Sequence, residues 1–141
     1  MANLKSLIRL RKHNIDEKQK FLADLFRQAE EIDSKKNALA ENLEKERQIA
    51  ESEDGADTRD YFGLYAEGVK KQIERFNKDL AKLEVRIQIA QDEIREAFAD
   101  LKRIEIVQKN REDEEAEEQK SKEEKELNDI AIEGFRRREE G

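Results

Sequence analysis

The chain has 141 residues and a formal net charge of −7, with 46% charged and 35% hydrophobic residues, where soluble domains average about 25% and 45–50%. That balance excludes a thick apolar core and argues against a general nucleic-acid binder. There is no proline to stop a helix, and no cysteine for a disulfide or thiolate metal site, which fits the cytoplasm.

The start, Met1-Ala2-Asn3-Leu4, has no signal-peptide apolar region, and no apolar run approaches membrane-spanning length. From there a stripe runs in alternating steps of three and four. Its stops are Leu4, Ile8, Arg11, Ile15, Lys18, Leu22, Leu25, Ala29, Ile32, Lys36, Leu39, Leu43, Glu46 and Ala50. All are apolar except Arg11, Lys18, Lys36 and Glu46, whose long stems cover a seam while the charge reaches water. Phe21 and Phe26 flank the stripe and widen it. One helix is predicted from about residue 3 to residue 52.

Ser52-Glu53-Asp54-Gly55-Ala56-Asp57-Thr58 breaks the rhythm. Gly55 is expected to take a left-handed conformation and close the first helix. Asp57 or Thr58 is expected to cap the second. A short capped turn makes antiparallel neighbours.

The second stripe is stricter: Phe62, Ala66, Val69, Ile73, Phe76, Leu80, Leu83, Ile87, Ala90, Ile94, Ala97, Leu101 and Ile104, all apolar. A period of 3.5 sustained over about six heptads is a coiled-coil seam and outweighs disorder, the competing reading of this composition. Folding about the turn pairs Ala50 with Phe62, Leu43 with Val69, Leu39 with Ile73, Ile32 with Leu80, Ala29 with Leu83, Leu25 with Ile87, Leu22 with Ala90 and Ile8 with Ile104. At Ala50–Phe62, Ala29–Leu83 and Leu22–Ala90 a large residue faces a small one.

After Ile104 the apolar seam ends. Residues 109–126 are almost all charged. The Asp113–Glu118 run repels itself, and helix propagated from the hairpin is expected to fray there in isolation. Leu127, Ile130, Ala131 and Phe135 then form a short apolar face, followed by Arg136, Arg137 and Arg138. Nothing inside the chain is left for this face, which suggests a partner. The predicted fold is all-α: a two-helix antiparallel coiled-coil hairpin over 1–108 (helices about 3–52 and 58–108, turn 52–58), then an overhanging helical extension over 109–141. Fifty helical residues rise about 75 Å.

No enzyme is expected, because a two-stranded coiled coil offers no preorganised pocket. There is no glycine-rich phosphate loop, no metal-ligand spacing and no cofactor motif. His13, the only histidine, reads as a helix-surface residue. Arg9, Arg11, Lys12 and His13 form a basic cluster that reads either as a solvated face or as a partner contact. The same holds for Arg136–Arg138, which also suit a helix C-terminus. Tyr61 and Tyr65 lie beside the turn and off the seam, as a docking spot or a local staple; aromatic enrichment at binding hot spots favours docking.

The start Leu4-x2-Leu7-x2-Leu10-Arg11, the long hairpin and the tail Glu126-Leu127-Asn128-Asp129-Ile130-Ala131-Ile132-Glu133-Gly134-Phe135-Arg136-Arg137 resemble the flagellar export protein FliJ family. Asn128 stands where that family often has an acidic residue, and Gly134 where a better helix former is expected. The resemblance implies a non-enzymatic stalk, similar to the gamma subunit of rotary ATPases. Such a stalk inserts the joined ends of its coiled coil into the hexameric export ATPase and promotes its assembly and activity. It also reaches the cytoplasmic domain of the export gate and handles export chaperones. On that reading Arg9, Arg11, Lys12, Leu127, Ile130, Ala131, Phe135, Arg136, Arg137 and Arg138 face the ATPase ring, and Tyr61 and Tyr65 the gate. The chain is then expected to be monomeric and cytoplasmic, held at the inner-membrane export apparatus through partners, with no cofactor, small-molecule substrate or nucleic acid. The alternative is a coiled-coil spacer or tether without an ATPase partner, or the stalk of an injectisome.

Overall fold

The computed structural model describes residues 3–52 and 55–140, and nearly all of them are helical. Helix α1 spans Lys5–Ser52 and helix α2 spans Ala56–Glu140. No strand occurs among the described residues. The expected turn includes Glu53 and Asp54, which lie outside the described residues.

The helix ends have identifiable causes. Asn3 caps α1: its Oδ1 accepts the Lys5 backbone N–H at 3.0 Å, satisfying a donor the first turn leaves free. At the other end, Ser52 Oγ donates to the Ile49 carbonyl at 2.8 Å. Gly55 departs from expectation. No described glycine has a positive φ, and the Gly55 carbonyl accepts the Arg59 N–H at 3.4 Å. Gly55 thus opens α2 rather than closing α1. Neither Asp57 nor Thr58 is the cap, since the helix already begins at Ala56. Asp57 instead places its carboxylate in the first turn, where the helix dipole favours negative charge.

Contacts separate into two units, Asn14–Glu96 and Met1–His13 with Ala97–Gly141. In the first unit the helices run antiparallel. Ala50 lines the same small hollow as Phe62, while Lys18 Nζ lies 3.6 Å from the Glu93 carboxylate. Between them Leu25, Leu83 and Ala90 form a buried cluster, with Leu22, Ala29, Ile32 and Ile87 packed against it. This is the membership the Leu22–Ala90, Leu25–Ile87 and Ala29–Leu83 register requires. Leu25 is fully buried, a burial that stabilises by about 1.5–3 kcal/mol. The Lys18–Glu93 pair is about half exposed, and such pairs contribute little.

In the second unit Leu101 is buried, and the seam beyond Ile104 turns polar. Gln108 takes the next stop, where its Oε1 accepts the Leu4 backbone N–H at 3.1 Å. Helix α2 continues unbroken through the acidic run, and residues 112–140 are all exposed.

Among the described residues, each buried one, Ile15, Leu25, Ala50, Val69, Leu83, Ala90 and Leu101, is a stop of one of the two stripes. Phe21 and Phe26 do not widen the seam as expected: they are 51% and 48% exposed. They sit at the lateral edges of a two-helix layer, where no third element covers them.

Candidate partner-binding surface

Exposed apolar side chains are spread along both helices, Phe21, Phe26, Val85, Ile89 and Phe98 among them, and three groups of them coincide with the contacts expected from the sequence. The first is the end of α2. Leu127, Ile130 and Phe135 are 65%, 67% and 62% exposed. At 3.6 residues per turn they share a broad face with Ala131. Arg136, Arg137 and Arg138 follow at once and are exposed. Arg137 reaches Glu133 only loosely, at 4.0 Å. The face therefore combines apolar area with cations that make only this loose contact among the described residues, which suits a partner offering apolar surface and carboxylates.

The second place is beside the turn. Tyr61, Tyr65, Ile49, Ala50, Thr58, Phe62 and Glu46 line a hollow of about 30 Å³, too small for a ligand. The two tyrosines differ within it. Tyr61 is 69% exposed, whereas Tyr65 is half-buried. Leu64 is also largely exposed, so the outward apolar surface here belongs to Tyr61 and Leu64. Leu64 escapes a reading that follows only the seam; its signal is an apolar residue on the face opposite the stripe.

The third place is the N-terminal turns of α1. Arg9, Arg11, Lys12 and His13 are all exposed. Arg11 is a stop of the seam stripe, yet it stays in water as its charge requires. Leu7 and Leu10 stand among these cations and are also exposed.

A groove of about 260 Å³ runs beside Phe21 and Ala90, edged by Glu17, Lys18 and Glu93, and it is wide open to solvent. No group of three or more His, Cys, Asp or Glu among the described residues is arranged to hold a metal ion. No described helix is long and apolar enough to cross a membrane.

One ion-pair array on α1 perturbs its own titration. Arg47 Nη2 and Nε donate to Glu44 at 2.6 and 3.1 Å, and Nη1 donates to Glu51 at 2.7 Å. The hydrogen bonds from Arg47 hold the Glu44 carboxyl below its ordinary range. The same bonds raise Arg47. Both groups are solvated, so the array is a local brace of the helix.

No family model, curated protein or solved structure matches the chain.

Proposed function

We propose that this chain is a non-enzymatic stalk and escort protein of flagellar type III protein export. On this reading it inserts into the hexameric export ATPase, promotes its assembly and activity, and links it to the cytoplasmic domain of the export gate and to export chaperones. The observation that carries the reading is the apolar face of Leu127, Ile130, Ala131 and Phe135, exposed on a long helix and backed by three arginines. A stalk needs such a face, because a ring can grip only what the rod's own core leaves uncovered. Residues 109–140 are read as an extension that overhangs the hairpin, supported by their complete exposure beyond Arg111. Arg9, Arg11 and Lys12 are read as a second ring contact. The hairpin core closes within one chain, which suits a stalk acting without a second subunit. Resemblance to the FliJ family supplies the identity of the ring and of the membrane-associated apparatus. Chemistry in the chain does not.

The charged stretch 109–126 favours a second reading, a spacer or tether that holds two partners apart with no ATPase involved. One experiment separates the two. The chain is co-purified with the export ATPase from the same genome, and ATP hydrolysis is measured with and without it. Complex formation with stimulated hydrolysis is expected. No complex and unchanged hydrolysis would leave the tether.

A further inference from the structure

Gly134 has no use inside its own chain. It lies in the interior of α2, where glycine is among the least favourable residues. Its φ is not positive, so no turn needs it. A Cβ added there would meet nothing within 4 Å, so no packing in the chain needs it either. Gly63 and Gly68 of the same helix are equally open; each leaves room for another backbone, and at Gly134 that room lies on the apolar face of the tail.

The neighbours of Gly134 indicate which backbone. Glu124, Leu127, Ala131, Gly134 and Arg138 follow one another along a single face, with Ile130 and Phe135 to either side. A membrane surface suits this face poorly. Around the three arginines stand Glu126, Asp129, Glu133, Glu139 and Glu140, so the basic excess that draws an amphipathic helix to anionic lipid is missing. The face instead carries an apolar centre with a carboxylate at one end and an arginine at the other. Its own antiparallel copy supplies the complement of all three.

We infer that in the free chain this face is covered by the same face of a second copy, antiparallel, about a two-fold axis at Ala131. Ala131 then meets its counterpart. Leu127 fills the space over the partner's Gly134. Arg138 reaches the partner's Glu124. Each contact occurs twice, as an isologous interface requires. A parallel pair would set arginine against arginine and glutamate against glutamate. In the antiparallel pair the partner's Glu140 falls opposite residue 122, about 20 Å along the helix from Gln108. The second copy therefore clears the N-terminal segment bonded there. The overlap is confined to residues 122–140, a short stretch for a stable interface, so the dimer is weak. The inference does not rest on the stalk reading. It concerns the chain alone, and a ring that takes this face displaces the second copy.

Sedimentation equilibrium of the full chain at low salt, from about 10 μM to about 1 mM, tests it. A monomer–dimer equilibrium is expected. Gly134→Leu improves the helix but closes the gap, and should abolish the dimer with helicity unchanged or raised. Glu124→Arg and Arg138→Glu alone should each weaken association by about tenfold, since each creates two like-charge pairs per dimer. An equimolar mixture of those two variants restores every opposite-charge pair at this position and should recover association to within about threefold of the parent. A chain that stays monomeric throughout, a Gly134→Leu variant that dimerises as before, or a mixture no better than its components would each overturn the proposal.

Discussion

The backbone N–H of Leu4 donates to the side-chain Oε1 of Gln108 at 3.1 Å, across 104 positions of sequence. Gln108 also turns its amide toward Asn3 Oδ1 at 3.4 Å and Glu112 at 2.9 Å. One glutamine thus takes up a helix-initiating donor that α1 itself leaves free. Gln108→Ala should cost about 0.5–1.5 kcal/mol. The loss should be local: amide exchange quickens over the first turn of α1, while amides near Leu25 keep their protection. Unchanged exchange at Leu4 would mean that water replaces the glutamine without loss.

The hairpin was legible in the sequence because it rests on one periodic signal. A 3.5-residue stripe fixes which residues are inside, and the large-against-small pairing of Leu22 with Ala90 and Ala29 with Leu83 fixes the register. The ends were less legible. Capping depends on single side chains and on where the backbone changes direction, so neither the place of Gly55 at the start of α2 nor that of Asn3 as a cap shows in the periodicity. Gln108 is hidden for a related reason: it holds a seam position, but a polar residue there reads as the end of the stripe. At the candidate surface the apolar face of Leu127, Ile130, Ala131 and Phe135 was visible as spacing. The contrast between Tyr61 and Tyr65 was not, because two residues off one stripe differ in burial only through the neighbours that the fold brings to them.

The core cluster makes a quantitative expectation. Leu25 packs with Leu83 and Ala90 in a layer only two helices thick. Leu25→Ala should destabilise by about 2–5 kcal/mol. Ile87→Asp should cost at least as much at neutral pH, because a carboxylate placed against that cluster has no partner. Against total stabilities of about 5–15 kcal/mol, either change should lower the thermal midpoint by many degrees. A melting curve identical to the parent's would show that these positions are not buried.

Glu44 gives a pH-dependent expectation. Its carboxyl is held below the ordinary glutamate range by hydrogen bonds from Arg47. A depressed carboxylate stabilises the folded helix above its unfolded pKa, and that contribution fades as pH falls through the lowered folded value. Arg47→Gln should therefore move the Glu44 carboxyl resonance midpoint upward in a ¹³C NMR titration. The array is exposed, so the change in overall stability should be small. A midpoint that stays put would assign the depression to other charges on α1.

Tyr61 and Tyr65 should separate by role. Tyr65 is half-buried against the turn, so Tyr65→Ala should loosen the hairpin end measurably. Tyr61 is 69% exposed, and Tyr61→Ala should leave melting almost unchanged; on the proposed stalk reading it should weaken binding to the export gate's cytoplasmic domain. Isothermal titration with both variants reads the difference. Equal gate affinity for Tyr61→Ala and the parent would reduce that residue to an ordinary surface aromatic.

Deletion of residues 127–141 tests the tail surface as a whole. Every described residue in that span is exposed, and the buried side chains all lie at Leu101 or before it. The truncated chain should therefore melt within a degree or two of the parent, since lost surface residues typically change stability by no more than about 0.5 kcal/mol. If the chain is the proposed stalk, stimulation of ATP hydrolysis by the export ATPase should disappear, because the apolar face and the arginines leave together. Leu127→Ala with Phe135→Ala should give a milder defect, as most of the apolar area goes and the charge stays. A truncated chain that melts much earlier would make the face part of the folding core. One that melts normally and still stimulates fully would move the ring contact to Arg9, Arg11 and Lys12, whose exposed cations on α1 the deletion leaves in place.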